Sequence, residues 1–409
     1  MPVLPLFLTI LPMVLGNGDT LPDEWHDAET GHRVVRLSDP AISSQTLYFH
    51  QNCFTGSGDA LVFVGSTAEG RSAFAMNSRT REIRRVAPSV SFEILAPKRR
   101  ELFYLTGNKV QSTHLDTLET RDIAELPAEY ASGRGFSVNA DETLLLGCYA
   151  QGESEFWRQH PTKGLKDLYK NGMKRMFDAR LLNALFTIDI VTGEVREIHN
   201  ENVWFGHPQF SPTVSSQIEF CHEGPERVLD RMWLINTDGS GYQKVFSPPC
   251  RRTLVTHEFW DPEGTHVWFD LQIPRARGYL GFLTYLFGPR AYLATANISS
   301  GETVKYRIPQ HCRSWHYNVS RDGSLFCGDG EGRFFDIGPS GKWIYLYRIQ
   351  DGKMKSECLC DMSKHSYSIA PNAHITPDNS WVVFTSDMHG LSQVYAVEIA
   401  KPSQTKGSL

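Results

Sequence analysis

What this 409-residue chain lacks narrows its function first. It has no surplus of positive charge: 41 Lys and Arg stand against 46 Asp and Glu, a formal charge of −5. With no basic cluster and no DNA-reading motif, a nucleic-acid partner is not expected. None of the eight cysteines forms a C-x-x-C pair, which argues against a zinc ribbon. There is no Gly-x-Ser-x-Gly elbow, no P-loop and no dinucleotide fingerprint. Paired carboxylates are too dispersed to nominate a glycosidase dyad from spacing alone. The apolar stretch from Pro2 to Gly16 is too short to span a bilayer, so no membrane span is expected.

That stretch does match the core of a signal peptide, and residues 1–18 are read as one. No Lys or Arg precedes it and no Ala-x-Ala site follows, but Val14-Leu15-Gly16 offers residues that cleavage tolerates. The expected location is therefore the periplasm or the exterior. Most cysteines lie inside apolar strand runs, where buried free thiols are the expectation. Cys358 and Cys360 are expected on one face of a strand, where a direct bond is disfavoured.

What the chain does have is a repeat. A turn followed by a β-rich run recurs seven times, as in "GFSVNADETLLLGCY" (135–149), "QFSPTVSSQIEFCHEG" (209–224) and "EFWDPEGTHVWFDLQ" (258–272). After each comes another strand, often ending in an Asp/Asn-x-x-Ser/Thr-Gly turn, as in "LFTIDIVTGEVREI". Two hairpins per unit make a four-stranded blade. Seven units predict an all-β, seven-bladed β-propeller as a single domain over residues 30–400. The last unit is short, and "GHRVVRLSDP" (31–40) is a strand without a blade. It is expected to complete the last blade and close the ring. Residues 155–182 carry apolar positions at helical spacing and read as a helical insertion in the third blade. A smaller insertion at 275–290 interrupts the fifth. Insertions fall on loops, either at the binding face or packed against an edge.

Histidines cluster by position. His207, His222, His257 and His316 lie near the early strands of three consecutive blades, where the central channel opens. Glu223 leaves its strand at the same mouth, and Arg231 begins the next hairpin strand at that level. An arginine there suits a carboxylate, which it clamps with paired hydrogen bonds. The plainer alternative is a salt bridge from Arg231 to Glu223 or Asp230.

The runs "GHPQFSPTVSSQIEFCHEGPERVLDRMWLINTDGSG", "THEFWDPEGTHVWF", "WHYNVSRDGSLFCGDG" and "FTSDMHGLSQVYAVEI" resemble the oligogalacturonate lyase family. The resemblance covers roughly Thr30 to Ile399, and the Cys-His-Glu-Gly-Pro run followed by Arg-Met-Trp-Leu is its most specific part. It implies a seven-bladed propeller that cleaves short uronate oligomers by β-elimination. The family uses a histidine base, an arginine and a divalent metal, usually manganese. The resemblance places the base at His257, the arginine at Arg231 and one metal ligand at His316. It also shows a departure. The family's Gln-x-x-His-x-His ligand cluster is matched here by Tyr367, Ala370 and Asn372. Asn372 still offers an oxygen, and His365 and His374 lie nearby. The metal, manganese or calcium, would rest on His316 and Asn372; the alternatives are a different metal site, or none, with Arg231 and other donors carrying the carboxylate.

Three readings follow. The first is a lyase acting on uronate-containing, pectin-derived oligosaccharides, with His257 and Arg231 catalytic and His207, His222 and Glu223 binding substrate. The second is a glycan-binding propeller without catalysis. The third is a glycoside hydrolase on the same scaffold, for which Glu223 and Glu258 are the available carboxylate pair.

Overall fold

A computed structural model describes residues 22–130, 134–163, 167–224, 230–250, 252–275, 288–330 and 342–401. The leader reading of residues 1–18 and residues 276–287 of the smaller insertion lie outside them. Seven antiparallel sheets succeed one another along the chain, six of four strands and one of five. This is the seven-bladed β-propeller that the repeats predict. Blades 1 to 6 occupy residues 44–87, 91–125, 134–201, 205–244, 254–308 and 317–361, and blade 7 combines residues 374–398 with 24–36.

The strand sequences follow from their place in a blade. Second and third strands are covered by neighbouring blades on both faces, so they read as continuous apolar runs rather than alternating ones. "ALVFVGST" (Ala60–Thr67) is buried over its first six residues. Outermost strands such as Thr120–Glu125 stay polar and largely exposed. The connecting turns are built by side chains. Asp189 Oδ1 accepts the Val191 and Thr192 N–H groups at 2.9 and 2.7 Å, and Gly193 takes the left-handed backbone that closes the turn.

Ring closure is as expected. Strand Arg33–Arg36 pairs with Tyr395–Val397, and Glu24–His26 adds a further strand outside it. Val34 is fully buried in the blade 7 core. Blade 7 meets blade 1 through the Thr46 N–H, which donates to Thr385 Oγ1 at 2.9 Å.

The helical insertion sits between the second and third strands of blade 3. It comprises α1 (Glu153–Gln159), a π-helical turn (Leu168–Gly172) and α2 (Met173–Ala179). Leu168 and Met173 line the main cavity, so this insertion belongs to the binding face. All eight cysteines are free and six are buried. Cys358 and Cys360 do not share one face as expected. A bulge between their partners turns Cys360 inward and leaves Cys358 half-buried.

If the closing strand holds the ring, Val34→Asp puts an unpaired charge into the seam and costs about 3 kcal/mol or more. Thermal unfolding should show a clearly lowered Tm, and an unchanged Tm would mean that the strand contributes little.

Candidate active site

The site begins with a backbone irregularity that recurs around the ring. In blades 2 to 5 the innermost strand carries a bulge, seen as a register shift between Ser91 and Ile94, Arg134 and Ser137, Gly206 and Gln209, and Thr256 and Phe259. Each bulge holds one residue at positive φ: Phe92 (53°), Gly135 (59°), His207 (51°) and His257 (56°). Asn372 (45°) stands at the matching place in blade 7, two residues before the first paired residue, His374. His316 of blade 6 occupies the same register, two residues before Asn318. Left-handed backbone costs a non-glycine residue about 1 kcal/mol or more and concentrates where function needs it. Here it sets His207 and His257 at one level on adjacent blades, and His316 takes the matching register in blade 6 without a left-handed residue.

Below them lies a buried ion cluster. Arg231 Nη1 and Nη2 donate to the two oxygens of Glu223 at 2.8 and 3.1 Å. Its Nε and Nη2 donate to Glu258 at 3.0 and 3.1 Å. Four of the five guanidinium N–H groups are thus committed, leaving one on Nη1. His207 Nε2 lies 3.1 Å from Glu223. Gly206 permits this approach, because a Cβ there would come within 2.7 Å of the Glu223 side chain. The Cys221 thiol donates to Glu258, and the Gln209 amide donates to the Glu258 carbonyl at 2.9 Å. Although burial pushes their carboxyls up, Arg231 and His207 hold Glu223 and Glu258 below the usual range. Glu219 is raised well above it by burial and by the neighbouring Glu258 charge, so the cluster keeps its proton there.

The salt-bridge alternative for Arg231 therefore describes the resting site, with Glu258 rather than Asp230 as the second partner. Asp230 pairs with Lys244 instead. The hydrolase pair does not fit. Glu223 and Glu258 share one guanidinium, Glu258 is fully buried, and neither is raised to serve as an acid.

His257 accepts the Trp315 indole N–H on Nε2 at 2.8 Å, which places the proton of the neutral ring on Nδ1. That Nδ1 is buried and has no partner. Burial, with His316 and Arg231 nearby, holds His257 well below 6.5, so it is neutral at ordinary pH. His316 packs 4.6 Å from His257 and stacks on Phe49 at 4.8 Å. Its Nδ1 is 2.7 Å from Asp329.

Some of these groups border a cavity of about 630 Å³. His207, Glu223, Arg231 and His257 line it. His222 does not: it is buried between Phe205 and Trp233, stacked on them at 5.6 and 4.9 Å, with Glu201 at 3.9 Å. It sits in the second strand of its blade, where side chains face the neighbouring blade, so its role is packing rather than binding. Sequence reasoning missed Asp270, Gln272, Arg313 and Trp315, which form the cavity wall between blades 5 and 6. The bulge register does not reach these four, but it was an available signal for the inner-strand residues. "HPQFSP" (207–212), "HEFWDP" (257–262), "NAHITP" (372–377) and "FEILAP" (92–97) align with the left-handed residue first and proline sixth.

The residues present do not make a manganese centre. His316 has a fitting arrangement, since a carboxylate on Nδ1 presents Nε2 as a ligand. Asn372 Oδ1 and the Tyr367 hydroxyl are buried without partners. The nearby histidines are engaged elsewhere. His365 is held by Asp387 and the Ile369 carbonyl, and His374 by the Leu47 carbonyl. One imidazole, an amide oxygen and a neutral phenol form a weak donor set, and the Phe49 ring lies flat against that imidazole. Among the described residues, Glu219, Cys221 and Glu258 do bring three ligand atoms together, but Arg231 and the Cys221 thiol proton satisfy that group.

Known proteins match this chain in sequence and in fold. Residues 17–403 match the family model described as oligogalacturonate lyase. An oligogalacturonide lyase of Pectobacterium atrosepticum is 28% identical over 94% of this chain and 98% of its own. An oligogalacturonate lyase of Dickeya dadantii is 27% identical over the same shares. Among solved structures, an oligogalacturonate lyase in complex with manganese superposes with a TM-score of 0.77 at 27% identity, covering 95% of this chain and 99% of that one. One from Vibrio parahaemolyticus gives 0.78 at 25% identity, covering 94% and 99%.

Burial sets an acid limit to stability. His50 and His257 are held well below 6.5, and His222 and His374 near 4, in each case chiefly by desolvation. The unfolded chain therefore binds more protons than the folded one below about pH 6.5, and stability falls as pH drops from there toward 4. A Tm series from about pH 8 to about pH 4.5 should decline on the acid side; a flat series would show that these imidazoles are not buried in neutral form.

Proposed function

The chain belongs to the oligogalacturonate lyase family and cleaves oligogalacturonides by β-elimination, and we propose that His257 removes the C5 proton while Arg231 meets the C6 carboxylate. The observation that carries this reading is the convergence of both side chains on one cavity, with His257 neutral. A uronate C5–H is weakly acidic, and a cation at the carboxylate stabilises the enolate-like charge as the proton leaves. A neutral imidazole within reach takes it. Arg231 offers its one remaining N–H, held in position by Glu223 and Glu258. In the resting site the indole of Trp315 caps the basic nitrogen of His257, so substrate entry must displace that contact. His207, on the Glu223 side of the cavity, binds the sugar or its acid group.

The family includes a manganese complex. The altered donor set supports a different reading here, in which no divalent ion is needed and guanidinium groups carry the substrate charge. The second reading of the sequence, a propeller that binds but does not cleave, is opposed by the retained His257 and Arg231.

The test follows ultraviolet absorbance of the unsaturated uronate product. His257→Asn, which tolerates the left-handed backbone but has no imidazole, should lose about 10²- to 10⁴-fold in turnover at near-native Tm. Activity near wild type would remove His257 as the base. Prior treatment with EDTA should change the wild-type rate by less than about twofold. A complete loss restored by manganese would show that a ligand set exists despite the changed residues.

A further inference from the structure

Asp270 is the group the mechanism above leaves unused. It lies on the second strand of blade 5, opposite Thr256 and so one residue from His257 along the inner strand. It lines the cavity but is only 3% exposed. One oxygen, Oδ2, accepts from the Gln272 amide at 2.8 Å and from Thr256 Oγ1 at 3.4 Å. The other, Oδ1, is buried with no hydrogen-bond partner.

Among the described residues, the charged and titratable groups that act on it are Arg313 and His316, from the segment that leads into blade 6. Gln272 stands between it and Arg313, donating to the aspartate while its Oε1 accepts the Arg313 Nη1 proton at 3.3 Å. An aspartate beside arginine normally ionises. Here burial outweighs Arg313 and raises the carboxyl to about 6. A protonated Oδ1 would be a buried donor with nothing to donate to, at the edge of the substrate cavity. Buried polar atoms are rarely left in that state without a functional reason.

We propose that Asp270 is the general acid of the elimination, protonating the oxygen that leaves C4. This rests on the lyase reading and on His257 as its base. The C5–H bond breaks and its proton goes to His257. Its electron pair forms the C4–C5 double bond, the C4–O bond breaks, and the departing oxygen takes the proton from Asp270. The enzyme is left with an imidazolium and a carboxylate, and proton exchange with water restores both. The acid matters because a sugar hydroxyl is a poor leaving group as an alkoxide.

Two substrates separate the roles: an oligogalacturonide, and a galacturonate carrying a 4-nitrophenyl ether on O4, whose phenolate leaves without help. Asp270→Asn keeps the shape and removes the proton. It should lose about 100-fold or more on the oligogalacturonide yet stay within about tenfold of wild type on the nitrophenyl ether. In wild type, kcat/KM for the oligogalacturonide should fall as pH rises through about 6, because the protonated acid is consumed there, and this limb should be absent for the nitrophenyl ether. The wild-type comparison stands even if the variant folds poorly. Equal losses of the variant on both substrates, or the same basic limb for both in wild type, would overturn the proposal and leave the lyase reading intact. If wild type yields no unsaturated product from either substrate, the lyase reading fails and the acid role falls with it.

Discussion

The site depends on a backbone conformation that the fold repeats and that most residues resist. One left-handed residue in the innermost strand lets the chain bulge out of the ladder, and pairing resumes two residues later. Glycine would adopt it freely, yet blades 4 and 5 place histidine there, and blade 7 places asparagine. Histidine and asparagine are among the side chains that tolerate this region best. The strain is offset by blade-to-blade packing, which fixes the strands on either side. The gain is that imidazoles from different blades stand at one height, something a regular strand with alternating side chains would not give.

A second constraint follows from burying Arg231. A guanidinium cannot be deprotonated at accessible pH, so its burial requires compensating charge. Glu223 and Glu258 supply two negative charges, and keeping the third acid, Glu219, protonated prevents a surplus. The arginine is therefore rigid and already largely neutralised before an acidic sugar arrives. It can orient a carboxylate with its last donor but contributes less net positive charge than an open arginine would. That shifts part of the electrostatic work to the wall between blades 5 and 6, where Arg313 lines the cavity.

The fold was legible because its signals are local and repeated. Asp/Asn turns and apolar second and third strands recur in every blade, and the orphan strand at Arg33–Arg36 had only one open edge to fill. The site was legible in part. His207 and His257 were expected at the channel from their positions near early strands, and the bulge explains why they line the cavity; His316 lies beside His257 without lining it. His222 was misplaced because adjacency to Glu223 in sequence was read as adjacency in the cavity; successive strand residues point to opposite faces. Asp270 and Gln272 went unseen for the opposite reason. They sit in "HVWFDLQI", a run that reads as a buried strand, and only the neighbouring blade's loop turns part of it into a cavity wall.

The altered ligand region bears on the same balance. Where the resemblance expects glutamine and two histidines, Tyr367, Ala370 and Asn372 stand, and the remaining imidazole, His316, is packed flat on Phe49 and held by Asp329. Exchanging two imidazole ligands for a methyl group and an amide removes most of the donor strength such an ion needs. The loss of a dication would weaken stabilisation of the carboxylate-borne charge, so less of that charge can build up before the C4 oxygen departs. A site that gives up the metal gains more from protonating the leaving oxygen as the C5 proton departs. In this chain Asp270, with one carboxyl oxygen unpartnered, lines the same cavity as His257, which is why it is proposed for that role.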